Sequence, residues 1–164
     1  MKCLTICQPY AHLIITPADE MPPSAPVKLV ENRTWETPYR GPLLIHAGKN
    51  RDFLSLSDDG TLELDYHLPA EELVFGAIVG VVELHACVPI AQIRDGDVPF
   101  DFAWLPDHAH AFGPICWVLQ NPRRFAVPIP YRGAQGLFDV PDEIVAEQLA
   151  ALSTRAATPE DFYR

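Results

Sequence analysis

The segment GAIVGVVELHACVPI, residues 76–90, constrains the chain most. Its β-branched residues suit a strand. It is apolar at successive positions, so such a strand is covered on both faces or coils within a barrel. Gly76 and Gly80 permit tight curvature or close approach of another backbone. A curled, covered sheet is therefore the starting point for the fold.

The flanking sequence supplies partners for that strand. CLTIC, residues 3–7, and PLLIHAG, residues 42–48, read as further strands. ICWVLQNPRRF, residues 115–125, reads as another that enters a turn at Asn121-Pro122, with AVPIPY extending it. QPYAHLII predicts a short helix, with Pro9 suited to its first turn. LPAEELV predicts a helix start, because Glu71 and Glu72 suit the positive end of a helix dipole. After residue 140 the positions Ile144, Val145, Leu149 and Leu152 form one apolar helical face. Five or six strands with two to four short helices predict one mixed, barrel-like domain over residues 1–152. Residues 153–164 are expected to be a frayed tail.

Proline is unusually frequent, at 17 of 164 residues, against roughly 5% on average. The stretch TPADEMPPSAP is polar, Pro-rich and patternless, so residues 16–27 read as an insertion outside the core. Four cysteines without a CxxC pair, no secretory leader and no membrane-length apolar run predict a cytoplasmic chain with buried thiols.

The net charge of -10 argues against a general nucleic-acid binder only if the charge is evenly spread. It is not. Residues 28–51 carry Lys28, Arg33, Arg40, Lys49 and Arg51 against Glu31 and Glu36, a net +3. Residues 122–136 carry Arg123, Arg124 and Arg132 with no acid. Residues 52–107 hold twelve acids and one base, Arg94. The Debye length is about 8 Å at physiological salt, so distant acids do not cancel a local basic patch.

Several residues in the first basic block can carry chemistry. On an extended 31–35 segment, Glu31, Arg33 and Trp35 share a face. A guanidinium there can hold a phosphate or base edge, and Trp35 or Tyr10 can stack on a base. The plain alternative is a Glu31–Arg33 ion pair beside a packed indole. His46 lies inside an apolar strand, where a satisfied core histidine is the simpler expectation. Lys49 follows Gly48 at the strand end, where a loop can carry it to a cleft. His108 and His110 beside Asp107 make a weak metal candidate without a second ligand pair. In RGAQG, residues 132–136, Gly133 and Gly136 permit close backbone approach and Gln135 can read a base edge. A plain turn explains the same glycines.

Five blocks together resemble the ASCH domain family of the PUA-like superfamily. They are LTICQPYAHLI (4–14), ENRTW (31–35), YRGPLLIHAGK (39–49), GAIVGVVELHAC (76–87) and YRGAQGLFDV (131–140). The family is named for homology to a transcription coactivator domain. The resemblance implies an α+β fold, a small PUA-like β-barrel with flanking short helices and a cleft. It implies RNA or a nucleotide-like ligand in a cleft formed by Gln8, Pro9, Tyr10, Lys28, Glu31, Arg33, Trp35, Arg40, Lys49, Arg132 and Gln135, and His46 is a further candidate for binding. Residues 16–26 interrupt the usual path from the first helix to the lysine.

The family contains more than one activity. The first expectation is a binding cleft for a single-stranded base and its flanking phosphate. An alternative is a ribonuclease, with Lys49, Arg33 or Arg40 stabilising phosphate and Glu31, Tyr39 or His46 moving a proton. Another is an amidohydrolase of the N4-acetylcytidine type. Its lysine aligns with Lys28, but Glu31 stands where its threonine nucleophile would be. Candidate catalytic residues are thus Lys49, Glu31 and Tyr39. A third alternative is a coactivator-like protein-interaction module. No cofactor or resident metal is expected, except a divalent ion for a nuclease. No membrane partner is expected, and a monomer is favoured.

Overall fold

A computed structural model describes residues 1–21, 27–55, 58 and 70–155. Among the described residues, six strands form one mixed sheet in the order β2-β5-β4-β3-β1-β6. They are β1 (Lys2–Ile6), β2 (Val30–Arg33), β3 (Gly41–Ala47), β4 (Ala77–Pro89), β5 (Ile115–Pro130) and β6 (Leu137–Asp139). β1 and β3 pair in parallel, while the other described pairs are antiparallel. The sheet curls into a half-barrel with β2 and β6 at its two ends. Among the described residues, three α-helices flank it: α1 (Tyr10–Ile15), α2 (Ile90–Arg94) and α3 (Asp142–Arg155). The α+β expectation is borne out in this open, curled form.

β4 is covered on both faces, as its composition requires. Val79, Val82 and Leu84 enter one cluster with Leu4, Leu43, Ile45 and the α1 residues Ala11, Ile14 and Ile15. Ile78 and Val81 enter a second cluster with Cys3, Leu44, Phe125 and Val145 of α3. The alternation along each strand therefore feeds two cores, one on each side of the sheet. Burying each such aliphatic side chain contributes roughly 1.5–3 kcal/mol. A third cluster, at the far end of β4 and β5, joins Val30, Val88, Ile93, Phe102, Leu105, Cys116 and Val118.

α1 ends at Thr16, whose hydroxyl donates to the His12 carbonyl at 2.6 Å. Pro17 follows and biases Thr16 toward its observed extended conformation. In α3, Val145 is fully buried and Leu149 and Leu152 pack on the second core. Ile144 is 41% exposed, so the apolar face is the i, i+4, i+7 set from Val145 and excludes Ile144.

The turn expected at Asn121-Pro122 is a bulge inside the continuous strand β5. Val81 pairs with Arg123, but Glu83 pairs with Gln120, so β5 carries one extra residue there. Asn121 takes a positive φ of 50° and donates from its side chain to Glu83 at 3.3 Å. Pro122 lacks an N–H, and a bulge is where a strand tolerates that loss.

The first part of the expected insertion packs back on β5. Residues Ala18–Glu20 form a 3-10 turn. Arg124 reaches Thr16 Oγ1 at 3.0 Å and Glu20 at 3.3 Å. Residues 22–26 of that stretch lie outside the described residues. The helix expected in 68–74 is a 3-10 turn at Ala70–Glu72 within the described part. α3 continues to Arg155, and residues 156–164 of the expected tail lie outside the described residues.

Candidate functional site

The parallel register of β1 and β3 sets Thr5 opposite His46. Paired residues project from the same face of a sheet, so the two side chains meet. Thr5 Oγ1 lies 3.2 Å from His46 Nδ1. His46 Nε2 lies 2.8 Å from the Tyr131 carbonyl oxygen. His46 is 2% exposed. Burial pushes its pKa below the ordinary value; the Tyr131 carbonyl opposes that shift and the charge of Lys49 adds to it. The ring is neutral at pH 7.

Two adjoining cavities open around this pair. The first, of about 920 Å³, is lined by Thr5, His46, Lys49, Arg132, Gly133 and Gln135, among others. The second, of about 450 Å³, is lined by Thr5, Arg33, Trp35, Ala134, Gln135 and Gly136. Thr5, Ala134 and Gln135 belong to both. The loop after β5 therefore forms a partition between a space with two cations and a space with a guanidinium and an indole.

Local backbone explains why Lys49 enters the first cavity. Gly76 has φ +68°, and a Cβ there would lie 2.7 Å from Lys49 Cε. The lysine stem thus runs across the bare glycine backbone. Gly133 serves the other wall: a Cβ on it would lie 2.6 Å from His46 Cε1 and 2.7 Å from Thr5 Oγ1. Its close approach is to this pair of side chains.

Behind the second cavity, Glu31 is held by two cations. Its Oε2 lies 3.3 Å from Lys28 Nζ and its Oε1 lies 3.1 Å from Arg33 Nη2. Arg33 also donates to the Thr5 carbonyl at 3.0 Å, which aims the guanidinium along the cavity wall. Lys28 is 3% exposed and sits 5.4 Å from the centre of the Tyr10 ring. Burial pushes the Lys28 pKa down, and Glu31 opposes that shift. Trp35 meets Trp117 edge-on with ring centroids 4.7 Å apart. The Trp117 indole N–H donates to the Trp35 carbonyl at 3.0 Å.

Of the residues anticipated from sequence, Arg33, Trp35, His46, Lys49, Arg132 and Gln135 come together around the two cavities. Glu31 and Lys28 support Arg33 from behind, and Tyr10 supports Lys28. The others are spent on the backbone. Gln8 is 1% exposed, donating to the Val74 carbonyl at 2.8 Å and accepting from the His12 N–H at 2.9 Å. Pro9 stands at the N-cap of α1. Tyr39 donates to the Pro42 carbonyl. Arg40 donates to the Thr37 and Tyr39 carbonyls at 2.6 and 2.7 Å. Glu31 lines neither cavity, so it does not face Lys49 across one.

Sequence reasoning missed Thr5 and Ala134. Thr5 had one available signal: a hydroxyl in a strand whose neighbours Leu4 and Ile6 are buried apolar residues. The second basic block divides, with Arg132 in the cleft and Arg124 turned to Thr16 and Glu20. His108 is tied to the backbone: Nε2 faces the Leu29 N–H at 3.2 Å and Nδ1 faces the His110 N–H at 3.0 Å. Neither ring nitrogen is open to a metal. Among the described residues, no three His, Cys, Asp or Glu side chains group as metal ligands.

The site is thus a polar cleft beside the parallel pair of a curled mixed sheet. No protein-family model matches the chain. Its sequence is similar to human activating signal cointegrator 1, with 25% identity over 150 residues, covering 87% of this chain and 22% of that protein. The mouse protein of the same name is 28% identical over 149 residues, with the same coverage of 87% and 22%. The chain thus matches about a fifth of the length of these curated relatives. Among solved structures it is similar to ASCH from Zymomonas mobilis, with TM-score 0.49 and 14% identity over 92% of this chain and 94% of that one. A single-residue variant of that protein gives TM-score 0.48 and 12% identity over 91% and 96%. The similarity to activating signal cointegrator 1 bears out the resemblance to the ASCH family.

Proposed function

We propose that the chain binds a single-stranded segment of RNA, or a nucleotide, in the joined cavities. The observation that carries this reading is the shared partition of Thr5, Ala134 and Gln135 between a cationic space and an indole-lined space. Lys49 and Arg132 suit a phosphate, which gains from charge-assisted hydrogen bonds. Arg33, Trp35 and Gln135 suit a splayed base, which needs one stacking surface and polar edge contacts. The acid-rich remainder of the chain disfavours long duplexes, so the cleft acts on a short segment.

Fluorescence anisotropy with a labelled oligoribonucleotide at rising salt tests the reading. Each phosphate contact contributes a slope of roughly −0.7 in log affinity against log salt for a single strand. Lys49→Ala and Arg132→Ala should each weaken binding and flatten that slope. No binding at low salt, or binding indifferent to salt, would overturn phosphate recognition. Cleavage of the RNA, or turnover of N4-acetylcytidine, would move the reading from binding to catalysis.

A second reading, a protein-interaction module, is favoured by the surface between β4 and β5. Phe100 is 92% exposed and Phe112 is 68% exposed. Trp104 and the exposed acids Asp95, Asp97, Asp101 and Asp107 lie in the same segment. A Lys/Arg-rich peptide suits that chemistry through charge and cation–π contact. Loss of peptide binding in Phe100→Ser, with the cleft titration unchanged, would support it; no binding of the peptide by the unaltered chain would oppose it.

A further inference from the structure

Hydrogen-bond polarity at the Thr5–His46 pair sets what the cleft can accept from a ligand. The Tyr131 carbonyl can only accept, so His46 Nε2, at 2.8 Å, carries the ring proton. In the neutral ring Nδ1 is then an acceptor. Thr5 Oγ1, at 3.2 Å, must give its one proton to that nitrogen. Its remaining lone pairs are the hydroxyl's means of bonding a ligand. Thr5 thus presents an acceptor in a cavity whose lining also carries two groups that only donate, Lys49 and Arg132.

We propose that Thr5 is the residue that distinguishes ribose from deoxyribose in this cleft, by accepting a hydrogen bond from a ribose 2′-hydroxyl. The inference rests on the reading of the cleft as a nucleic-acid site. A phosphate held by Lys49 and Arg132 has no proton to offer at neutral pH. The nearest donor in a ribonucleotide chain is the sugar hydroxyl beside that phosphate. DNA lacks it, and a 2′-O-methyl sugar keeps the oxygen but loses the proton.

Gly133 keeps this geometry in place. Its backbone lies against both members of the pair, so a side chain there would part Thr5 from His46. His46 is in turn oriented by a main-chain carbonyl of the same loop, at Tyr131. The polarity of one hydroxyl is therefore set by backbone at two points.

The test compares three oligonucleotides of one sequence, made with ribose, deoxyribose (uracil retained) and 2′-O-methyl ribose. The unaltered chain should bind the ribose form at least fivefold more tightly than either of the others. Thr5→Val keeps the shape and removes the acceptor, so it should bind all three within twofold of each other. Thr5→Ser should restore the preference. A ratio between sugars is the readout, because general loss of stability lowers all three affinities together. Equal binding of the three by the unaltered chain would overturn the role of Thr5 and leave the cleft reading standing. So would a preference that survives in Thr5→Val. Absence of binding to any of the three would overturn the cleft reading, and this inference with it.

Discussion

Gly133 lies against the ring of His46 so closely that a Cβ on the glycine would fall 2.6 Å from Cε1. Real Cβ atoms do not tolerate that approach, so Gly133→Ala must push the loop away or turn the imidazole. Either response breaks the Thr5 contact or the Tyr131 contact. The expected result is a loss of about 1–3 kcal/mol in stability, as for overpacking. Oligonucleotide affinity should fall at least tenfold, because the loop carries Arg132 and Gln135. Chemical denaturation and anisotropy on the same variant measure the two losses. Unchanged binding would mean that the cleft does not need this loop position.

Acid should invert the polarity of Thr5. The folded His46 pKa lies below its ordinary 6.5, so the ring stays neutral above that value. When pH falls through the folded pKa, Nδ1 gains a proton and donates to Thr5, whose own proton turns toward the cleft. Lys49 and Arg132 are the charged groups lining that cavity. The preference for ribose should therefore be flat above pH 6.5 and should decline on acidification below it. Anisotropy with the ribose and deoxyribose probes across pH 5–8 checks this. A preference that is independent of pH down to unfolding would contradict the assigned tautomer.

The Lys28–Glu31–Arg33 group should be a structural support for the cleft. Lys28 and Glu31 are both largely buried and lie 3.3 Å apart. Removing one charge strands the other, which costs about 3–5 kcal/mol for a buried pair. Glu31→Gln keeps a polar contact and should fall at the low end. Pairing it with Lys28→Met removes the stranded ammonium and should recover most of the loss. Urea denaturation of both single variants and the double variant closes the cycle. Additive losses would show that the two side chains do not stabilise each other.

Stability should also fall as pH drops from neutral. His12 and His110 both have pKa values pushed down to about 4, chiefly by burial. Nearby charge adds to this: Arg124 beside His12, and Lys28 and His108 beside His110. The unfolded chain takes up these protons near pH 6.5, while the folded chain resists until about pH 4. The neutral rings are therefore tolerated above pH 6.5, and stability declines as pH falls from there toward 4. Each shift corresponds to at most roughly 3 kcal/mol. Denaturation midpoints at pH 7, 5.5 and 4.5 should descend. His12→Gln should lessen the descent without abolishing it.

Strands were the most legible part of the sequence. The apolar run at 76–90 announced a strand covered on both faces, and Val79 and Ile78 do enter opposite cores. Asn121-Pro122 misled because turn chemistry also serves a bulge: a positive φ and a missing N–H are needed in both settings. Ile144 misled because it flanks Val145 on the helix, and a sequence pattern alone does not say where the buried stripe ends. In the cleft, Lys49, Arg132 and Gln135 were legible as cations or amides beside glycines. Thr5 was not, because its role comes from a register with His46 across 41 residues. Gln8 and Arg40 looked available for a ligand until the structure put backbone carbonyls in front of them.

β1 lies between β3 and β6, joined to one by a parallel ladder and to the other by an antiparallel one. Thr5 of β1, which lines both cavities, thus meets Arg132 and Gln135 from the segment between β5 and β6. During vectorial synthesis β1 must wait for the segment that carries Arg132 and Gln135 to emerge before its pocket has walls. Assembly of the cleft consequently comes after synthesis of both segments. A product terminated before that segment would carry Arg33 and Lys49 without the opposite wall of the cleft.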